Sequence, residues 1–498
     1  MSGKYILAID MGSSGLRCHV VPLDRPWDLP PGAEMRRRPA RSRSLGLERR
    51  WSAPRVRASM LQQIGAAVRN AGVRPADVTA VSITAQRGGY ALLDAGGRTV
   101  HLGPNTDLRA VFQGAAMDEE AGEAIYAVTG HLPSMFFMPA KLRWWQAHQP
   151  RTADRVAKAA TLGAWATQEL TTVLAETPET LAEAGLLDID SRLPATDLLA
   201  RLGLDPSLIP GVVATGEATG KLSPDVAASV GLPTGIPVVL SGPDAHVSAL
   251  GVGAVEPGDI CITAGWSAPV QAVVDRAIRD PQRRTWAGPH VVPGRWVVEA
   301  NPGDTGGTLD AVRMLVGPRL SPARFDELAA RAGESAASTI ALWGPRALDL
   351  SNPGMSLGGL LMPVPLTLDG LDVGALAWAT LENVGFAIRE CVELARSVSG
   401  LAAGTVSLAG GMAASSVLAS ILANLLGEPT HVHHPRAAAT GAALVAGVPP
   451  AELLEASANA GGHAALVEPS PGDHAEADER YDRWLWLRSR LDELADEI

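Results

Sequence analysis

Two turns of small residues carry types that suit phosphate chemistry: Asp10-Met-Gly12-Ser13-Ser14-Gly15 near the N-terminus, and Gly265-Trp266-Ser267 past the middle of the chain. Small side chains let backbone N–H groups approach an anion closely, and two such turns can grip one polyphosphate. The expected ligand is a nucleoside triphosphate. Asp10 opens the first turn, where a carboxylate repels phosphate unless Mg²⁺ lies between them, directly or through water. Its other reading is a turn-forming aspartate. Asp244 follows the apolar run Ile236-Pro-Val-Val-Leu240. A carboxylate there can take a proton from a substrate hydroxyl, or cap the helix predicted to follow it.

Both turns are flanked by apolar runs too short for helices, so residues 6–21 and 259–274 each read as strand, tight turn, strand. The recurrence predicts a duplicated chain. A chain of 498 residues exceeds the size at which one core stops growing, and two domains of roughly 200 to 250 residues are expected. We place their boundary between residues 241 and 242. Periodicity predicts a helix over 59–71, strands over 78–85 and 90–93, and a turn over 94–97. The second half predicts helices over 375–400 and 415–426, a strand over 430–433, and a charged C-terminal helix over 478–498.

The composition, 46% hydrophobic and 19% charged with 52 glycines, is that of a globular α/β protein. A net charge of −11 argues against a general nucleic-acid binder. The local cluster Arg36, Arg37, Arg38, Arg41, Arg43, Arg49 and Arg50 reads as a solvated hairpin surface, without interleaved aromatics for base stacking. No apolar run approaches the roughly 18 residues of a membrane span, and a cytoplasmic protein is expected. Cys18, Cys261 and Cys391 are dispersed, which favours buried thiols over disulfides or a metal site. His433 and His434 read as a strand end, with no further ligand at metal spacing.

In order along the chain, Asp10-x-Gly12-Ser13-Ser14-x-x-Arg17, Gln86-Arg87, Asp107-x-Arg109, Lys141-Leu-x-Trp144, Gly242-x-Asp244, Gly265-x-Ser267, Gly410-Gly411 and Thr440-Gly441-Ala-Ala443 resemble the motifs of the FGGY carbohydrate kinases. Each piece alone is common, but their ordered conjunction is specific and covers nearly the whole chain. The resemblance implies two ribonuclease H-like α/β domains of the actin and sugar-kinase type, with an interdomain cleft where ATP and a sugar meet. It implies ATP and Mg²⁺ as cofactors, Asp244 as general base and Asp10 as the residue facing the metal. Gly12, Ser13, Ser14, Arg17, Gly265, Trp266 and Ser267 would hold the phosphates, and Gly306, Asp310, Gly410, Gly411 and Ser415 the rest of the nucleotide. Trp266 departs from the small hydroxyl residue usual in the family at that place.

For the acceptor, Gln86, Arg87 and Asp107 together offer the donors and acceptors that a polyol needs. Trp144 and Trp145 either pack the core or wall the sugar. Glycerol kinases of this family hold their triol with an Arg-Glu pair, a tyrosine and a glutamine. Here Gly88, Phe136 and Ala245 stand in three of those places, so a longer acceptor in contact with Phe136 is expected. The chain is similar to the branches containing xylulose and autoinducer-2 kinases, which implies a pentulose such as xylulose or a related linear sugar or polyol. The alternative, favoured by Trp266, is a degenerate nucleotide- and sugar-binding protein, a sensor or ATPase with little transfer activity. The expected partner is a small sugar, with neither nucleic acid nor membrane, and a homodimer is compatible with these expectations.

Overall fold

Strand Tyr5–Gly12 turns back on Gly15–Pro22 as an antiparallel pair, with Asp10 opposite Arg17 and Gly12 opposite Gly15. Both strands are buried almost throughout, which is why they read as continuous apolar runs rather than as an alternation. The computed structural model describes residues 4–13, 15–30, 32, 34–37, 43–134, 136–333, 338–348, 357–362, 372–401, 403–433 and 436–497. The chain divides into two compact units. One comprises Met1–Val255, Val273–Val298 and Arg436–Gly462; the other comprises Glu256–Ala272, Glu299–Pro435 and His463–Ile498.

In the first unit the hairpin belongs to a six-stranded sheet with the order Gly220–Lys221, Pro237–Pro243, Val78–Ala85, Tyr5–Gly12, Gly15–Pro22, Glu34–Arg37. Val78–Ala85 runs parallel to both Tyr5–Gly12 and Pro237–Pro243. Successive side chains leave a strand on opposite faces. Leu7, Ile9, Val81 and Ile83 accordingly meet Met60, Ile64 and Val68 of helix Ala53–Asn70. Ile6, Ala8, Ala80 and Val239 meet Ala439 and Ala442 of helix Ala437–Gly447 on the other face. The first of these helices starts at Ala53 rather than at 59, because Pro54 is tolerated in a first helical turn.

The second unit repeats the progression. Ile260–Thr263 pairs antiparallel with the strand that begins at Val270, and parallel with Val406–Ala409, which is parallel to Thr430–Val432. Hairpin first, parallel strands after, is the duplication predicted from the two turns. Helices Val373–Ser399, Ser416–Leu426 and Pro471–Glu497 complete the unit; the last begins seven residues before the predicted 478. Cys18, Cys261 and Cys391 are buried free thiols, and burial pushes each thiol up from its ordinary value. Among the described residues, no helix is long and apolar enough to cross a membrane. Of the arginine cluster, Arg38 and Arg41 lie outside the described residues, and Arg36 and Arg50 are exposed.

The boundary expected between residues 241 and 242 falls inside strand Pro237–Pro243 of the first unit. Two hydrogen bonds tie this strand end into the sheet, and a third ties the neighbouring strand to helix Ala437–Gly447. Thr84 Oγ1 donates to the Gly242 carbonyl at 2.8 Å, Ser82 Oγ lies 2.5 Å from Ser241 Oγ, and Ser82 Oγ donates to the Ala442 carbonyl at 2.6 Å. Gly242 has φ +119, a left-handed conformation that glycine supplies at a bulge between Leu240 and Gly242. Helix Asp244–Gly251 leaves from this bulged end and lies against helix Ala437–Gly447. Their backbones touch: a Cβ at Gly441 would overlap the Val247 carbonyl, and one at Gly251 would overlap the Ala437 carbonyl. Neither obstacle is a flexible side chain. Gly441→Val should therefore lower stability by about 2 kcal/mol or more through overpacking, read as a loss in chemical-denaturation midpoint, while Gly231→Ala at a site open to solvent should cost less.

Candidate active site

Asp244 is the first residue of helix Asp244–Gly251, and Pro243 holds the cap position. Its Oδ1 accepts the Ala245 N–H at 3.0 Å. This is not the bond to the second or third helical N–H by which a capping aspartate satisfies a helix start. The carboxylate is half-buried. Burial pushes its pKa up to about 7; the facing Arg87 guanidinium opposes the rise, while the charges of Asp10 and Glu183 add to it. A carboxyl poised near neutrality can exchange a proton with an alcohol at physiological pH.

Asp10 comes from strand Tyr5–Gly12, which Val78–Ala85 separates from Pro237–Pro243. Its Oδ2 accepts Arg17 Nη1 at 2.8 Å across the hairpin, so the register that makes the turn also makes the ion pair. Gly12 and Ser13 follow at the turn; Ser14 lies outside the described residues.

Gln86 and Arg87 continue strand Val78–Ala85 into a pocket lined also by Gly88, Phe136, Lys141 and Glu183. The cavity volume is about 30 Å³. Both side-chain amide atoms of Gln86 are buried with no hydrogen-bond partner, an arrangement that asks for a ligand or water. Arg87 Nη1 donates to Glu183 Oε2 at 3.1 Å, and its guanidinium stands 5.6 Å from the Trp286 ring centroid. Lys141 Nζ donates to the Gly88 carbonyl and lies 4.4 Å from the Tyr90 ring centroid. Burial pushes the Lys141 ammonium down to about 7, with Asp107 opposing and Arg109 adding to the shift. Gly88 has φ +72, and Phe136 packs against it.

Asp107 is placed differently from the sequence expectation. It is fully buried and accepts Tyr90 Oη at 2.9 Å, Arg109 Nε at 2.8 Å and the Arg49 N–H at 2.9 Å, with His101 Nε2 at 3.5 Å. Burial alone would raise this carboxyl, but the His101 and Arg109 interactions and the Arg49 N–H hold it at about 2. The structure brings Asp107 behind Tyr90 rather than into the lining of the pocket. Trp144 and Trp145 are buried, with Arg109 at 4.6 and 4.8 Å from their ring centroids, so they pack this network. Glu183, which no motif signalled, enters the pocket instead; its other oxygen lies 3.6 Å from Nε2 of the buried His246.

In the second unit the expected nucleotide residues fall into one cluster and two outliers. The Gly306 and Thr305 N–H groups donate to the Trp266 carbonyl at 2.9 and 3.1 Å, the Gly265 N–H donates to the Ser267 carbonyl at 2.8 Å, and Ser267 bridges Asp304. A Cβ at Gly306 would overlap the Gly265 carbonyl, and one at Gly410, with φ +91, would overlap the Ala264 carbonyl. The Met412 N–H donates to that same Ala264 carbonyl at 3.0 Å. Gly265, Trp266, Ser267, Gly306, Gly410 and Gly411 thus form one glycine-lined surface with the Trp266 indole 49% exposed. Ser415 is engaged elsewhere: its Oγ accepts the Leu418 N–H at 3.0 Å as a helix cap and donates to Asp326. Asp310 is exposed and paired with Arg313 at 2.9 Å. His433 Nε2 lies 3.2 Å from Ser407 Oγ at a strand end, and His434 is outside the described residues.

The sequence matches the FGGY family of carbohydrate kinases over residues 5–251 for its N-terminal domain and 356–449 for its C-terminal domain. The autoinducer-2 kinase of Yersinia enterocolitica is 26% identical over 471 residues, covering 90% of this chain and 86% of its own. The xylulose kinase of Rhodospirillum rubrum superposes with a TM-score of 0.81 at 24% identity, covering 99% of this chain and all of its own. The gluconate kinase of Lactobacillus acidophilus superposes with a TM-score of 0.82 at 17% identity, covering 99% of each chain. At those identities the two superpositions establish the α/β fold with its two actin-like domains. With both family domains matched in order along the chain, it belongs to the FGGY carbohydrate kinases, ATP-dependent phosphotransferases with an alcohol group as acceptor.

Proposed function

We propose that the chain phosphorylates a hydroxyl of a pentulose such as xylulose, or of a related linear sugar or polyol, with Asp244 as general base. The observation that carries this reading is the Asp244 carboxyl, poised at about 7 and facing Arg87 of the pocket where Gln86 has two unpartnered amide atoms. Asp244 takes the acceptor's proton as its oxygen bonds to the γ-phosphorus of ATP. The bond to the β–γ bridging oxygen breaks, and ADP leaves. Gln86 and Arg87 orient the acceptor, Phe136 walls it, and Asp107 acts through Tyr90. Gly88 and Phe136 supply no polar side chain beside Arg87 with which to close around a three-carbon triol, which supports a longer acceptor.

Gly12, Ser13, Ser14 and Arg17 in the first unit, and Gly265, Trp266, Ser267, Gly306, Gly410 and Gly411 in the second, are the residues we assign to ATP. Asp310 and Ser415 remain candidates whose side chains would exchange a protein partner for the nucleotide. Asp10 is a hard oxygen donor suited to Mg²⁺, which takes one or two protein carboxylates besides phosphate oxygens and water. Bound there, Mg²⁺ would offset phosphate charge.

Asp244→Asn should lower acceptor-dependent kcat by roughly 10² to 10⁴ and leave the ATP KM within a few-fold; near-normal kcat would reduce Asp244 to a helix-start residue. Because the base must be unprotonated, kcat/KM for the acceptor should rise with pH through about 7 and level off above it. A profile flat from pH 5.5 to 8.5 contradicts that assignment. Trp266→Thr should preserve or improve the ATP KM, since the backbone groups of Gly265 and Ser267 stay in place; a large rise in KM would show the indole itself to be a nucleotide contact.

A further inference from the structure

Among the described residues, the acceptor pocket is lined by two basic side chains, and each is already matched within the same wall. Arg87 is paired with Glu183 at 3.1 Å, and it also faces Asp244. Lys141 is directed at the Gly88 carbonyl and the face of Tyr90, with Asp107 the opposing charge behind. Glu183 is itself nearly buried, at 8% side-chain exposure, and held between Arg87 and the His246 ring. An anionic acceptor entering here meets Glu183 and Asp244 without a cation that lacks a partner. Like charges brought together in a desolvated site cost several kcal/mol. The unpartnered amide of Gln86, by contrast, presents one acceptor and two donors to a ligand, which suits adjacent hydroxyl and carbonyl groups of a neutral sugar.

From this geometry we infer that Glu183 sets the charge class of the substrate: the pocket takes uncharged ketoses and polyols and rejects aldonates. The inference rests on the kinase reading above but concerns a residue that the reading does not use. Glu183 pairs with the Arg87 guanidinium at 3.1 Å, so it serves both to orient Arg87 and to repel a carboxylate. Removing its charge while keeping its shape takes one carboxylate away from beside Arg87 and lowers the repulsion that an anionic acceptor meets.

The test compares neutral pentuloses and pentitols with pentonates and gluconate on the full-length protein at pH 8, by calorimetric binding and by acceptor-dependent ADP release. Wild type should favour the best neutral acceptor over the best aldonate by at least about 10² in affinity and in kcat/KM. Glu183→Gln, near-isosteric, should narrow that ratio by about 10-fold or more, with aldonate binding rising while neutral-sugar binding falls. The wild-type ratio needs no variant, so misfolding of Glu183→Gln leaves the inference testable. An aldonate preferred by wild type, no binding of any neutral acceptor, or an unchanged ratio in a folded Glu183→Gln protein overturns it. Binding with the predicted preference but no phosphorylation of any acceptor would instead sink the transfer reading and leave the charge class standing.

Discussion

The backbone contact between helices Asp244–Gly251 and Ala437–Gly447 is the constraint on which the acceptor side of this kinase depends. Gly251 and Gly441 let the two helices approach until carbonyls fill the space a Cβ would take. The second helix also lies across strands Tyr5–Gly12 and Val78–Ala85, and its Ala442 carbonyl receives Ser82 Oγ. One small-residue helix therefore fixes the sheet, the bulged end of Pro237–Pro243 and the start of the helix carrying Asp244. Asp10, Gln86 and Asp244 leave three neighbouring strands at the same end of the sheet, so the carboxylates and the amide share one neighbourhood without any loop having to fold over them. Ligands bind at this end of open α/β sheets for that reason.

Electrostatics then distinguishes two carboxylates of the first unit. Asp107 is buried and Asp244 half-buried, yet the first is held at about 2 and the second pushed up to about 7. The difference is their partners. Asp107 collects Arg109, a tyrosine hydroxyl and a backbone N–H, which stabilise its charge. Asp244 has one N–H and shares Arg87 with Glu183, while Asp10 repels it. Environments that separate two acids in this way assign one to structure and leave the other available for proton exchange.

Much of this was legible in the sequence, for identifiable reasons. Val78–Ala85 was read to the residue because a β-branched run bounded by polar residues admits no helix. Both hairpins were read because their turns need small residues. The 241/242 boundary was harder, since the chain leaves a unit and returns to it: residues 436–462 fold with the first unit, and no local pattern records that. Glu183 was invisible because a lone acid at a helix end has no spacing to mark it; its partners lie 96 and 63 residues away, at Arg87 and His246. Asp107 looked like a sugar ligand because its two-residue spacing from Arg109 cannot reveal that the pair closes on itself inside a turn.

As an FGGY kinase, this chain couples ATP cleavage to an alcohol acceptor. The most direct measurement is the rate of ADP release with Mg²⁺ and ATP, taken with and without each member of a panel of pentuloses, hexuloses, polyols and aldonates. The rate should be low without acceptor and at least about 10²-fold higher with a five- or six-carbon ketose or polyol, matched mole for mole by sugar phosphate. ADP release that is the same with and without every acceptor would contradict this coupling, and glycerol as the best acceptor of the panel would contradict the longer acceptor.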